Sequence, residues 1–303
     1  MNIKGNLTKI LVINVFFAFV TIHGSMAAEK LTVYVVNYPL QYFAERIGGE
    51  HVNVVFPAPA DVDPAFWMPD TPTIAAYQQA DLILLNGAGY ARWINRVTLP
   101  RFRMVNASAG FKDRYLEAGE ILTHSHGSGG EHAHESLAFT TWIDFSLAAG
   151  QARAIAEAFS RKRPGLRDNF QKNYAALEQD LMALDRTLKQ MVSKDRARPF
   201  VVSHPVYDYF ARRYGLNIKS VHWEPDETPT HEQIMELNRI LKEHPAAWMI
   251  WERKPMTGSL EGLQAIGIDS LVFDPCGNTP AQGDFLSVMR QNVENMESAF
   301  KKD

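Results

Sequence analysis

Leu166, Phe170, Tyr174, Leu177, Leu181, Leu184, Leu188 and Met191 recur every three or four residues. That spacing places all eight on one face of a single α-helix of about 28 residues, roughly 42 Å long at 1.5 Å per residue. A coiled-coil segment would show a similar apolar repeat. The flanking sequence favours a different role, because both sides of the stripe alternate short β-rich runs with helical spacings. A spine between two lobes is the expectation.

In the first half the expected strands are 31–36, 52–56 and 81–85, with helices over 39–48, 71–79 and 142–161. The helix at 39–48 is closed by Gly48 and Gly49, and Pro164-Gly165 interrupts the chain before the spine. In the second half the expected strands are 200–203, 216–221, 247–251 and 270–273, with helices over 206–214, 230–243 and 283–301. Gly215 closes the first of these helices. Thr230 followed by Gln233 reads as a capping box at the start of the second. Strands alternating with helices imply βαβ units. The fold class is therefore α/β, with two Rossmann-like lobes of mostly parallel sheet joined by one long α-helix. The expected divisions are a signal peptide over 1–27, an N-terminal lobe over 28–163, the spine over 164–195 and a C-terminal lobe over 196–303.

Lys4 and Lys9 precede an apolar run over 10–22, and Ser25-Met26-Ala27 fits a cleavage site. The run is too short for a comfortable membrane span, so a cleaved secretory signal is expected. Cleavage would remove two lysines and no acid, taking the formal net charge from −3 to about −5. An acidic chain lacks the concentrated basic surface that nucleic acid requires. Cys276 is the single cysteine, which excludes an internal disulfide. Export without disulfides suits a bacterial periplasm. A soluble monomer is expected.

Residues 123–136 break the alternation. They are rich in His, Gly, Ser and Glu, and His124, His126, His132 and His134 form two His-x-His pairs. Neutral imidazole suits zinc, copper and nickel. Such a segment has nothing apolar to bury, so a metal-contacting loop is expected. It either holds the main site or captures ions and delivers them. His204 and Asp274 each follow an expected strand, the position where ligands collect in open α/β sheets. From position alone, His204 is a ligand or a satisfied buried histidine, and Asp274 a ligand or a turn-former before Pro275. His222, Trp223, Glu224 and Glu227 form a polar, aromatic loop after another strand, whose glutamates line the cleft or simply lead into the next helix. The aromatic run at 63–69 reads as cleft wall or lobe packing. Cys276 reads as a small buried residue rather than a soft ligand.

The order of these pieces resembles the solute-binding proteins of zinc- and manganese-type ABC importers over nearly the whole chain after residue 27. The most specific segment is His204-Pro-Val-Tyr-Asp-Tyr-Phe-Ala-Arg-Arg-Tyr-Gly-Leu216. Also similar are 80–87, Thr141-Trp-Ile-Asp144, Trp251-Glu252, and Val272-Phe-Asp-Pro275 with Asn292. The resemblance implies a periplasmic receptor that captures Zn2+, with Mn2+ or Cu as alternatives, and hands it to a membrane permease. It implies four ligands, two from each lobe, of which His204 and Asp274 match the second-lobe pair. The first-lobe pair departs from the pattern: Ala65 and Thr140 stand where the family has histidines. The expectation is that His132 and His134, joined by His124, His126 or Glu131, complete the site over the cleft.

Two other readings follow from the same residues. One keeps the fold and changes the cargo to copper or a metal chelate. The other is a metal-dependent hydrolase, but the chain has no His-Glu-x-x-His and no Gly-x-Ser-x-Gly. Ser203 and His204, as neighbours on a strand, point to opposite faces and make no catalytic pair.

Overall fold

The computed structural model describes residues 29–118 and 137–301. The first lobe carries β1 (Leu31–Val35), α1 (Tyr38–Gly48), β2 (Val52–Val55), α2 (Thr71–Gln79), β3 (Leu82–Leu85), β4 (Met104–Asn106) and α3 (Phe145–Lys162). Its sheet runs β2-β1-β3-β4 and every pairing is parallel. After α4 (Arg167–Val192) the second lobe carries β5 (Pro199–Val202), α5 (Asp208–Tyr214), β6 (Asn217–Ser220), α6 (His231–Glu243), β7 (Trp248–Trp251), α7 (Thr257–Ala265), β8 (Asp269–Val272) and α8 (Phe285–Lys301). Its sheet runs β6-β5-β7-β8, again all parallel. The two lobes thus share one strand order. In both, the order reverses between the first and third strands, which is where open parallel sheets place their ligands.

Local chemistry sets the boundaries. Asn37 caps α1 by accepting the Leu40 N–H at 3.2 Å, and Asp144 caps α3 by accepting from Ser146 and Leu147. Residues 141–143 form a 3₁₀ turn, so α3 begins three residues later than its apolar spacing suggests. Gly215 ends α5 at φ 75°, the left-handed conformation that glycine adopts without a Cβ penalty. Thr230 and Gln233 form the expected reciprocal cap on α6. The sequence reading misses β4 and α7. The first is a three-residue edge strand, and the second, Thr257–Ala265, carries two glycines and no clear apolar face.

The α4 stripe serves both lobes. Phe170, Tyr174, Leu177, Leu181, Leu184, Leu188 and Met191 are all buried, and one continuous apolar core joins them to Val33 and Leu84 on one side and to Phe200 and Ile250 on the other. Leu166, just before the helix, is only partly buried against this core. α4 packs on α1 and α3 of the first lobe and on α5 and α8 of the second. Across the seam, Phe43 of α1 meets Phe285 of α8 edge to face, with ring centroids 5.2 Å apart. Hydrogen bonds also tie together the loops beyond the strands. Tyr38 N–H donates to the Gly277 carbonyl, the Trp142 indole to the Pro275 carbonyl, and the Asn278 amide to the carbonyls of Pro59 and Val62. The carboxyl ends of the two sheets therefore face one another. Among the described residues no helix is long and apolar enough to cross a membrane.

A buried ion pair pins α5 to the spine. Asp185 of α4 is 1% exposed and takes two 2.8 Å bonds from Arg213 and one 3.1 Å contact from Lys189. Burial pushes the Asp185 carboxyl up, but Arg213 and Lys189 outweigh it and hold the group below the ordinary Asp range. Its contribution to stability is complete above that range and is lost as pH falls through the lowered value. Replacing Arg213 by Met strands a buried charge beside Lys189 alone, and should cost roughly 3 kcal/mol in urea denaturation at neutral pH. The joint variant Asp185→Leu/Arg213→Met should recover most of that loss.

Candidate metal centre

Three side chains converge beyond the carboxyl ends of the second sheet. His204 follows β5 by two residues, Glu252 follows β7 directly, and Glu224 lies four residues beyond β6. β5 and β7 are the neighbours at which the strand order reverses. Sheet-like backbone bonds continue past the strands: Ser203 N–H donates to the Ile250 carbonyl, Val221 N–H to Val202 and Trp223 N–H to Ser203, each at 2.9 Å. Beneath the site Trp223 and Trp251 are buried with ring centroids 6.1 Å apart, so the polar ends stand on a rigid aromatic floor.

His204 Nε2 lies 3.2 Å from Glu224 Oε1, and His204 Nδ1 lies 3.8 Å from Glu252 Oε1. One potential ligand atom from each of the three residues falls within 4.8 Å of the others. His204 Nδ1 is buried and has no hydrogen-bond partner. A buried ring nitrogen left without a partner is costly unless something else occupies its lone pair or its proton. A cation between His204 and the glutamates would satisfy it, and imidazole with carboxylate oxygens is a donor set that zinc accepts.

The surrounding charges point the same way. Burial raises the Glu252 carboxyl first, Glu224 and Asp63 raise it further, and His204 and Arg253 oppose them. Burial also raises Asp63 and Asp274, against the pull of Arg253 on both. Several acids thus crowd the cleft, and Arg253, with Arg92 beside Asp63, does not offset their burial. A divalent cation relieves that crowding, and it favours the ionised forms that it binds.

Of the residues expected to bind metal, His204 sits at the centre of this group. Asp274 does not belong to it: its Oδ1 accepts the Cys276 N–H at 2.6 Å in a tight turn, and Asn292 brackets its backbone with two hydrogen bonds. His124, His126, His132 and His134 lie outside the described residues. Burial pushes the Cys276 thiol far above its ordinary range, which disfavours the thiolate a metal would need. Glu224 was legible as a cleft residue from its loop. Glu252 was visible only as part of Trp251-Glu252, with no signal of its own for ligation.

The two first-lobe positions that lack histidine have taken on structural work. Thr140 is buried and its hydroxyl donates to the Val206 carbonyl across the lobe boundary. Ala65 is 1% exposed and its N–H is held by Asp63 Oδ1 at 2.8 Å.

The model of the periplasmic zinc-uptake complex component A, ZnuA, matches residues 33–299. The chain belongs to the ZnuA family. It is 24% identical over 286 residues to the zinc-binding lipoprotein AdcA of Streptococcus pneumoniae, covering 91% of this chain and 57% of that protein. It is also 24% identical over 283 residues to the high-affinity zinc uptake system protein ZnuA of Bacillus subtilis, covering 90% of this chain and 88% of that one. The chain thus spans somewhat over half the length of the AdcA proteins it matches. Among solved structures, the Zn(II)-bound ZnuA-like domain of S. pneumoniae AdcA superposes with a TM-score of 0.75 at 21% identity, over 90% of this chain and all of that domain. This confirms the fold of two parallel-sheet lobes and a long helix within the ZnuA family.

Glu252 gives this site a measurable signature. Its carboxyl is raised, so at neutral pH the ionised group costs the metal-free protein stability, and the cost fades as pH falls through the raised value. Glu252→Gln should therefore raise the melting temperature of the metal-free protein at pH 7. The advantage should shrink towards pH 4 in parallel thermal melts.

Proposed function

We propose that this protein is a periplasmic receptor that captures Zn2+ and delivers it to the membrane permease of an ABC importer. The observation that carries the reading is the partnerless Nδ1 of His204, buried beside two glutamates at the reversal point of the second sheet. Membership of the ZnuA family and the names of its zinc-binding relatives support zinc as the cargo. In this reading His204, Glu224 and Glu252 hold the ion. Asp274 and Asp63 add negative potential around it. The paired histidines at 124, 126, 132 and 134 capture ions from solution and pass them to the cleft. The protein is a monomeric binding protein and not an enzyme, exported through a signal peptide over 1–27, with lobes over 28–163 and 196–303 flanking the spine at 164–195.

A second reading keeps the receptor and changes the cargo to copper or a metal chelate. The replacement of both first-lobe histidines by the buried Ala65 and Thr140 favours it. Elemental analysis and mass spectrometry of protein purified from zinc-replete cells separate the two, since a bound organic species with little zinc would select the second.

Isothermal titration of the purified protein with Zn2+ tests the main reading. One ion should bind per chain, and His204→Ala should weaken binding by at least about tenfold, since even residues that only support a ligand contribute that much. Binding should weaken at acid pH, because imidazole and carboxylate must lose their protons to ligate. In a strain lacking its own zinc receptor, the wild-type chain with its permease should restore growth under zinc limitation and His204→Ala should not.

A further inference from the structure

Past the end of β6 the chain runs Val221, His222, Trp223, Glu224 and alternates strictly. Val221 and Trp223 are buried at 4% and 2% exposure, whereas His222 and Glu224 are exposed. The alternation is enforced by the bonds from Val221 and Trp223 to the carbonyls of Val202 and Ser203, which carry strand geometry three residues beyond β6. The backbone at His222 is fixed again from the other side, where the Gln233 amide donates to its carbonyl at 3.1 Å. His222 and Glu224 must then share one face, and it is the face on which His204 stands.

The imidazole rings of His204 and His222 lie with centroids 6.2 Å apart and planes at 87°. Two imidazoles on one tetrahedral zinc, each with Zn–N near 2.0–2.1 Å, bring their centroids to about 5 Å. The observed separation exceeds that by roughly an ångström, within reach of a side-chain rotation at an exposed residue. The His222 nitrogens stand outside the 4.8 Å group, so such a rotation is required.

We propose that His222 is the fourth ligand, and that His204, His222, Glu224 and Glu252 form a complete two-nitrogen, two-oxygen site for a divalent transition ion on the second lobe alone. The inference rests on the receptor reading and deepens it by naming the full coordination set. It also accounts for Ala65 and Thr140: a site that closes within one lobe needs nothing from the other, which frees both positions for packing and for the hydrogen bond to Val206. The paired histidines at 124–134 then act on the route of the ion and not in its resting site.

The test uses the full chain with Zn2+ in a competition titration against a chelator, and Co2+ as a spectroscopic stand-in. The variants are His222→Ala, His222→Gln, His204→Ala and a deletion of residues 124–134. The metal-free His222 variants are melted beside wild type, so that a folding defect is read apart from a lost ligand. His222→Ala and His222→Gln should each lose at least about tenfold in zinc affinity and weaken the visible absorption of tetrahedral Co2+. The deletion should leave both readouts unchanged. Wild-type affinity and an unchanged cobalt spectrum in the His222 variants would overturn the proposal, as would loss of binding in the deletion. In either case, weakened binding by His204→Ala leaves the receptor reading standing. Wild-type binding by His204→Ala removes that reading as well.

Discussion

The apolar seam along α4 is the constraint on which the remaining structure depends. One helix face buries seven large side chains, and their neighbours come from both sheets, so the two lobes share a core instead of owning one each. Apolar burial of this kind is non-directional and roughly proportional to area, so the seam holds the lobes together without fixing their rotation. Rotation is fixed by directional contacts laid around it. The Asp185–Arg213 pair fixes α5 on the spine, and the Trp142–Pro275 and Asn278–Pro59 bonds fix the facing loops. The carboxyl ends of both sheets are thereby held opposite each other, and the space between them is where the acids collect. A wide hinge opening would have to break a shared core, so the architecture favours movement of loops and side chains over movement of whole lobes.

How much of this was legible in the sequence depended on how local the cause was. The apolar stripe, present from Phe170 to Met191, the Thr230–Gln233 cap and the two sets of alternating strands each declare themselves within a few residues, and each is present in the structure. β4 and α7 are set by tertiary packing. Met104–Asn106 pairs only at the sheet edge, and Thr257–Ala265 contains glycines that argue against a helix until its neighbours are in place. At the site, His204 was legible because it follows a strand and heads the segment most like the family. Glu252 was not, because a glutamate after a tryptophan has no local signature. Its significance comes from β7 lying beside β5, a pairing that no spacing along the chain reveals. The pairing of Asp274 with His204 came from resemblance; its Oδ1 accepts the Cys276 N–H, and it stands outside the group formed by His204, Glu224 and Glu252.

The electrostatics of the cleft follow from where the chain places its few cations. Arg253 acts on Asp63, Glu252 and Asp274 at once, and all three carboxyls remain raised by burial. Contrast Asp185, where a bidentate guanidinium and a lysine overcome the desolvation. The same chemistry is fully compensated in the scaffold and left under-compensated at the strand ends. Functional sites differ from structural ion pairs in this respect.

The buried hydroxyl of Thr140 works as a fastener between the lobes. Its hydrogen bond to Val206 anchors a segment two residues from His204, and the side chain is buried. An imidazole placed there would sever that anchor and press a larger ring against the turn that aims His204. A residue that lies sixty-six positions before Val206 in the chain thus helps to aim the imidazole of His204, and a change at Thr140 is felt just beyond strand β5 without any contact with the site itself.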